Sequence, residues 1–212
     1  MIIDNSSEVR KIVEFKKNCF YKISAIIRSK DFKGGSAPFY CKEKKECILK
    51  NWYVSNKKEF EDAIHDSKLF SNVFKCRIYI SLDRKDVKKT LLNLRNKISS
   101  YLDSFIGSSN AVIGIRAIGK SFSSSASISE SSDKDGKRWM FDIDDNEYVA
   151  ALVEKICLED YLCTLRTPNG YHVVAKKTFY PNDREFSEIQ SKYNVECKSN
   201  SMGLVYFNTG DQ

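Results

Sequence analysis

The chain has 212 residues, of which 42% are hydrophobic and 30% charged, and it carries a formal net charge of +7. That apolar content supports a packed core, in one ordinary domain with an appendage or in two small ones, and it excludes a globally disordered chain. No apolar run approaches the roughly 18 residues a membrane-spanning helix requires, and the opening MIIDNSSEVRKIVEF lacks the basic-then-apolar order of a signal peptide.

The expected location is therefore cytoplasmic, with no membrane partner, and the seven cysteines read as reduced core thiols. A zinc site built from Cys19, Cys41, Cys47 and Cys76 would lack the short Cys-x-x-Cys spacing that tetrahedral sites usually use. Positive charge is concentrated early: residues 8–58 hold 14 Lys or Arg against 5 Asp or Glu. Basic and aromatic residues alternate there in FKKNCFYK and FYCKEKKECILKNWY. Lys16, Lys17, Lys44 and Lys45 are thus candidate contacts to a nucleic-acid backbone. A solvated lysine-rich surface is the competing reading.

In chain order, Val9, Ile12, Val13, Phe15, Phe20, Ile23 and Ile26 recur near helical period and predict a helix over 8–29. RSKDFKGGSAP reads as a loop, 57–69 as a second helix, and CRIYISL (76–82) as a buried strand. Asp83 is placed to cap a helix that starts with RKDVKKTLLNL. AVIGIRAI (111–118) predicts a strand. Eight of the twelve residues from Ser121 to Ser132 are serine, which predicts a loop over 121–137 because so little apolar surface offsets the entropy of ordering it.

From there the pattern is strand RWMFDID, helix EYVAALVEKICLE, strand YLCTLRT, turn PNG, strand YHVVAKK, helix DREFSEIQSKY, and short strands VECK and LVYF. The expected division is a basic, partly helical region over 1–70 and a core over 71–212.

Side chains alternate faces along a strand, so Asp142 and Asp144 point the same way. Adjacent carboxylates repel, and a divalent cation removes the conflict, since Mg2+ and Mn2+ take oxygen ligands and complete their shells with phosphates. The alternative is a pair of exposed acids at a strand end, with Asp145 or Asn146 capping the following helix. His172 stands near a predicted hairpin tip, and Lys176 follows four residues on, on the same face. The two together suit an anionic phosphate, although a lone strand histidine is more often structural.

A strand ending FDID, then a helix, a strand and the turn TPNGYH, resembles the archaeo-eukaryotic primase superfamily of primases and primase-polymerases. The resemblance covers roughly residues 138–207. It implies an RRM-like catalytic core of α/β (α+β) class and metal-dependent nucleotidyl transfer, using nucleoside triphosphates on a single-stranded or primer-template nucleic acid in DNA replication, with a helicase or other replication partner.

It further implies Asp142 and Asp144 as ligands to Mg2+ or Mn2+, Glu196 as the third ligand, and His172 as the contact to the nucleotide's phosphates, with Thr167 and Lys176 beside it. Thr167 and Pro168-Asn169 stand where that family has a serine-rich turn, and Glu196 stands where aspartate is commoner. Two other readings remain open. One is a non-catalytic nucleic-acid-binding module on the same fold. The other is a P-loop at Gly114–Ser121, whose GIRAIGKS fits the motif by letter and brings in Lys120, provided a strand precedes it and a helix follows.

Overall fold

The computed structural model describes residues 1–32, 46–105, 111–144, 146–179, 184–208 and 210. In chain order the elements are β1 (Ile2–Asp4), α1 (Ser6–Ile12), β2 (Cys19–Arg28), β3 (Glu46–Val54), α2 (Lys57–Phe74), β4 (Arg77–Ser81), β5 (Lys85–Asp86), α3 (Val87–Phe105) and α4 (Ala111–Ser127). They continue with β6 (Arg138–Asp144), α5 (Glu147–Cys157), β7 (Tyr161–Thr167), β8 (Gly170–Lys176), α6 (Arg184–Tyr193), β9 (Glu196–Ser199) and β10 (Met202–Asn208). The fold is mixed α/β, built on two antiparallel sheets.

The first sheet has the order β1-β10-β4-β2-β3, with short β5 on β2. It draws on both ends of the chain, and the expected division at residue 70 falls inside α2. Asn56 caps α2 by accepting from Glu59 N at 3.0 Å, while the Glu59 side chain accepts from Ser55 N at 2.8 Å, one residue before the cap, and ties the first turn to the chain that enters it. Phe60 and Ile64 of α2 pack with Ile23, Ile78 and Ile80 of the sheet.

The second sheet has the order β7-β8-β6-β9. One of its faces packs Phe141, Ile143 and Val173 against Val149, Val153 and Phe186 of α5 and α6. From the other face, Met140, Leu165 and Val174 enter the same buried cluster as Ile23 and Ile80. The two sheets therefore share a core.

Several predicted elements hold. The strands and helices from residue 138 onward, the strand at 76–82 and the helix begun at 57 are all present. The helix expected over 8–29 is not: α1 ends at Ile12, and β2 is a strand buried from Cys19 to Ile27. A strand covered on both faces loses its apolar–polar alternation, and its apolar residues then imitate a wide helical stripe.

The strand expected at 111–118 and the loop expected at 121–137 are also corrected. Ala111–Ser127 is one helix, followed by 3₁₀ turns at Ser129–Ser131 and Lys134–Gly136. Ser121 and Ser125 are buried, and the helix is fixed by polar contacts: Lys22 Nζ donates to Ser127 Oγ at 2.5 Å, and Asn51 Nδ2 to Ser123 Oγ at 3.2 Å.

The P-loop reading falls with this, because Gly114–Ser121 lies inside α4 and forms no loop between a strand and a helix. Lys120 is an exposed residue of that helix. Asp83 does not cap α3; it is buried, accepting from Arg138 N at 3.0 Å and Ser132 Oγ at 2.8 Å, while Asp86 accepts from Lys89 N at 2.8 Å.

The six described cysteines are free thiols. Burial pushes Cys76, Cys157 and Cys163 up to about 12, so they behave as small apolar core residues. Cys41 lies outside the described residues. Among the described residues, no helix is long and apolar enough to cross a membrane.

Candidate active site in the cleft between the two sheets

The face of β6 that carries Met140 changes character along its length. At Met140 it is buried against the first sheet; two and four residues on, it presents Asp142 and then the exposed Asp144. Here the sheets part, leaving a cleft of about 380 Å³. One wall is the end of the second sheet, with Asp142, Asp144, Thr167, Asn169, His172 and Lys198. The other belongs to the first sheet, with Ile26 and Arg28 of β2, Glu46 of β3, and Arg77 and Tyr79 of β4.

Strand register sets the centre of the site. Asp142 is directly opposite His172 on β8 and directly opposite Glu196 on β9. Residues that face each other across antiparallel strands bring their side chains within reach. His172 Nε2 lies 3.3 Å from Asp142 Oδ1. Lys198 Nζ lies 2.6 Å from Asp142 Oδ2 and 2.6 Å from Glu196 Oε2.

His172, and after it Lys198, hold the Asp142 carboxyl well below the usual carboxylate range, against the opposing effect of burial. Burial works against the Lys198 ammonium, but its bonds to the two carboxylates prevail and raise its pKa above that of an ordinary lysine. His172 is mostly buried, and its Nδ1 has no hydrogen-bond partner among the described residues.

The turn that positions His172 is the predicted one. Thr167 pairs with Gly170 across the two-residue Pro168-Asn169 turn, and Gly170 adopts φ +151°, a region that favours glycine. Thr167 Oγ1 accepts from Asn169 N at 3.4 Å, which fixes its hydroxyl at the rim. The capping residue of α5 is Asn146, whose side chain accepts from Val149 N at 3.1 Å; Asp145 lies outside the described residues.

The predicted residues thus divide. Asp142, Asp144, His172 and Thr167 share the cleft, and Glu196 joins through Lys198. Lys176 is at the far end of β8, where it donates to the Glu159 carbonyl at 3.4 Å and lines a separate depression with Glu14, Lys134 and Lys177. It does not accompany His172. Lys16 is paired with Asp135 at 3.1 Å and Asp133 at 3.4 Å; Lys17 is exposed; Lys44 and Lys45 lie outside the described residues.

Sequence reasoning missed Lys198 and the opposite wall. Glu196 and Lys198 are two apart in a strand and so share a face, which was the available signal. Arg28 and Arg77 offered no signal beyond the alternation of strands whose pairing was unknown. Arg28 lies over the Tyr79 ring and pairs with Glu46 at 2.8 Å, and Arg77 forms a buried pair with Asp31.

The donor set can be tested against the divalent cation that the family resemblance implies. Among the described residues, no three His, Cys, Asp or Glu side chains stand close enough to hold a metal by themselves. Asp142 and Asp144 remain two oxygen donors on one face of the cleft, the former kept ionised, which suits a hard cation that completes its shell with substrate phosphates. Glu196 and Asp142 share the Lys198 ammonium, each through one oxygen at 2.6 Å, and of the two only Asp142 lines the cleft. Comparison with protein-family models, with curated proteins and with solved structures finds no match to this chain.

Proposed function

We propose that the cleft is a primase-type site for metal-dependent nucleotidyl transfer on nucleic acid, extending a primer or initiating a strand from nucleoside triphosphates. The observation that carries this reading is the convergence of Asp142, Asp144, His172 and Thr167, from three separate strands, on one cleft. The order β6-α5-β7-β8-α6-β9, with strands arranged β7-β8-β6-β9, is that of a split βαβ unit and supports an RRM-like core.

On this reading Asp142 and Asp144 hold Mg2+ or Mn2+. When bound there, the cation supplies positive charge to the triphosphate and the attacking hydroxyl. The chain's own residues bind and orient. His172 and Lys198 hold the Asp142 carboxyl below the usual carboxylate range and favour its ionised form, each engaging one of its oxygens. His172 stands beside the acids with Nε2 on Asp142 and Nδ1 buried without a partner among the described residues, so its contact to a phosphate oxygen requires the ring to turn toward the cleft. Arg28 and Arg77 stand on the facing wall, each already paired with an acid, Arg28 with Glu46 and Arg77 with Asp31, so a polyphosphate or nucleic-acid backbone would have to compete with Glu46 for Arg28.

The test is thermal unfolding of the full chain with Mn2+ and a nucleoside triphosphate together, followed by primer extension. A rise in melting temperature that disappears in Asp142→Ala and Asp144→Ala, with extension product in the wild type alone, is the expected result. Salt-sensitive oligonucleotide binding without any response to Mn2+ and triphosphate would replace this reading with that of a non-catalytic binding module.

A further inference from the structure

Resting on the nucleotidyl-transfer reading, we propose that Lys198 is a built-in cation that takes the place of a metal between Asp142 and Glu196, so that the site accepts one divalent ion and Glu196 serves to hold the lysine. Asp142 and Glu196 are register partners on adjacent antiparallel strands, where two like charges oppose each other directly. Such a pair calls for a cation. The chain supplies its own, with the Lys198 ammonium 2.6 Å from an oxygen of each acid.

Two of the three ammonium donors are thereby engaged, and the lysine still lines the cleft, where a phosphate oxygen can take the third. The placement is part of the strand. Lys198 is opposite Met140, one step further into the sheet than Asp142, so its side chain reaches back along the cleft wall to the acids. An ammonium brings one positive charge and hydrogen bonds, with no Lewis acidity. It can therefore neutralise and position phosphate but cannot replace the cation at Asp142 and Asp144.

Lys198 is accordingly a positioning residue, and Glu196 is its anchor rather than a metal ligand. The consequence concerns metal stoichiometry. Removing the ammonium leaves two facing carboxylates that attract a second divalent ion, whereas exchanging it for another permanent cation does not.

The experiment is equilibrium titration of Mn2+ alone into the 212-residue chain, with free Mn2+ read by electron paramagnetic resonance, for wild type, Lys198→Met, Lys198→Arg, Glu196→Gln, Asp142→Asn and the double variant Lys198→Met/Glu196→Gln. The proposal expects Lys198→Met to bind an additional Mn2+, or to bind at least tenfold tighter than wild type. Lys198→Arg should stay at the wild-type stoichiometry, and the double variant should lose the gain. Circular dichroism confirms that each variant is folded, and Lys198→Gln substitutes for Lys198→Met if the latter is not.

Mn2+ binding that is unchanged or weaker in both Lys198→Met and Lys198→Gln overturns the inference, and so does Glu196→Gln weakening wild-type binding as much as Asp142→Asn does. These results leave the nucleotidyl-transfer reading standing if wild type still responds to Mn2+ with triphosphate. If wild type shows no such response but Lys198→Met gains a Mn2+ site, the functional reading fails while the substitution of ammonium for metal holds. Mn2+ binding by neither protein overturns the inference, and it overturns the functional reading as well only if wild type also fails to respond to Mn2+ with triphosphate.

Discussion

The cleft and the serine-rich face of α4 both enclose lysine, and they treat it in opposite ways. In the cleft, Lys198 is matched by two carboxylates, which strengthen its charge. Lys22 beneath α4 and Lys85 beneath the turns that follow it are almost wholly buried and bond mainly to neutral groups. Lys22 reaches Ser127 and Ser123, and Lys85 reaches Ser132 Oγ at 2.9 Å and Asn200 Oδ1 at 2.5 Å.

Burial lowers the pKa of both, that of Lys85 to about 8. Hydroxyls and amides satisfy donors but do not neutralise, so an ammonium there bears the cost of desolvation. The difference separates charge kept for interaction, at a partly exposed cleft, from polarity that locks a helix onto a sheet.

The largest expected effect would break the comparison at the cleft. Asp142→Ala removes the acid that meets both His172 and Lys198 and should abolish the response to Mn2+ and triphosphate, read as the loss of the melting-temperature shift. His172→Ala, which leaves both acids in place, should lower primer extension by ~10–100-fold, as partners of metal ligands typically do.

Next in size is the pH dependence of Lys85. Its folded pKa lies below the unfolded value, so between about pH 8 and pH 10.4 the unfolded chain binds a proton that the folded chain does not, and stability rises with pH. Urea unfolding at pH 7 and pH 11 should show wild type gaining about 3 kcal/mol relative to Lys85→Met over that interval. A constant difference would show that the buried lysine titrates normally.

Asp142 is expected to act in the opposite pH range. Its folded pKa is depressed, so its stabilisation is present above the unfolded value near about 4 and is lost as pH falls through the folded one. Wild type should therefore be more stable than Asp142→Asn at neutral pH, and the gap should close on acidification below about pH 4 in the same unfolding assay. The smallest effect sharpens the other side. Ser127→Ala removes one neutral acceptor of Lys22 from an exposed hydroxyl and should cost about 1 kcal/mol without changing Mn2+ binding.

Much of the site was legible because its signals are local. Alternation put Asp142 and Asp144 on one face, and Pro168-Asn169-Gly170 fixed the hairpin that returns His172 beside them. Lys198 was not legible as a partner of Asp142, because the distance between them depends on β9 pairing with β6 across α6, and α6 and the strands before it separate the two in sequence. Lys176 shows the converse: four residues along a strand preserve the face but not the location, and the side chain ends in another depression.

The amino-acid sequence by itself determined the run of elements from residue 138 onward and the shared face of the two aspartates, because side-chain period and turn chemistry act over a few residues. Tertiary structure decided the rest. Burial of β2 on both faces erased its alternation and made a strand of a predicted helix. Buried Lys22 and half-buried Asn51 gave the serines of α4 the partners that turn a predicted loop into a helix. Strand register alone placed an ammonium between two acids, since only pairing across the sheet brings groups so far apart in the chain within 2.6 Å.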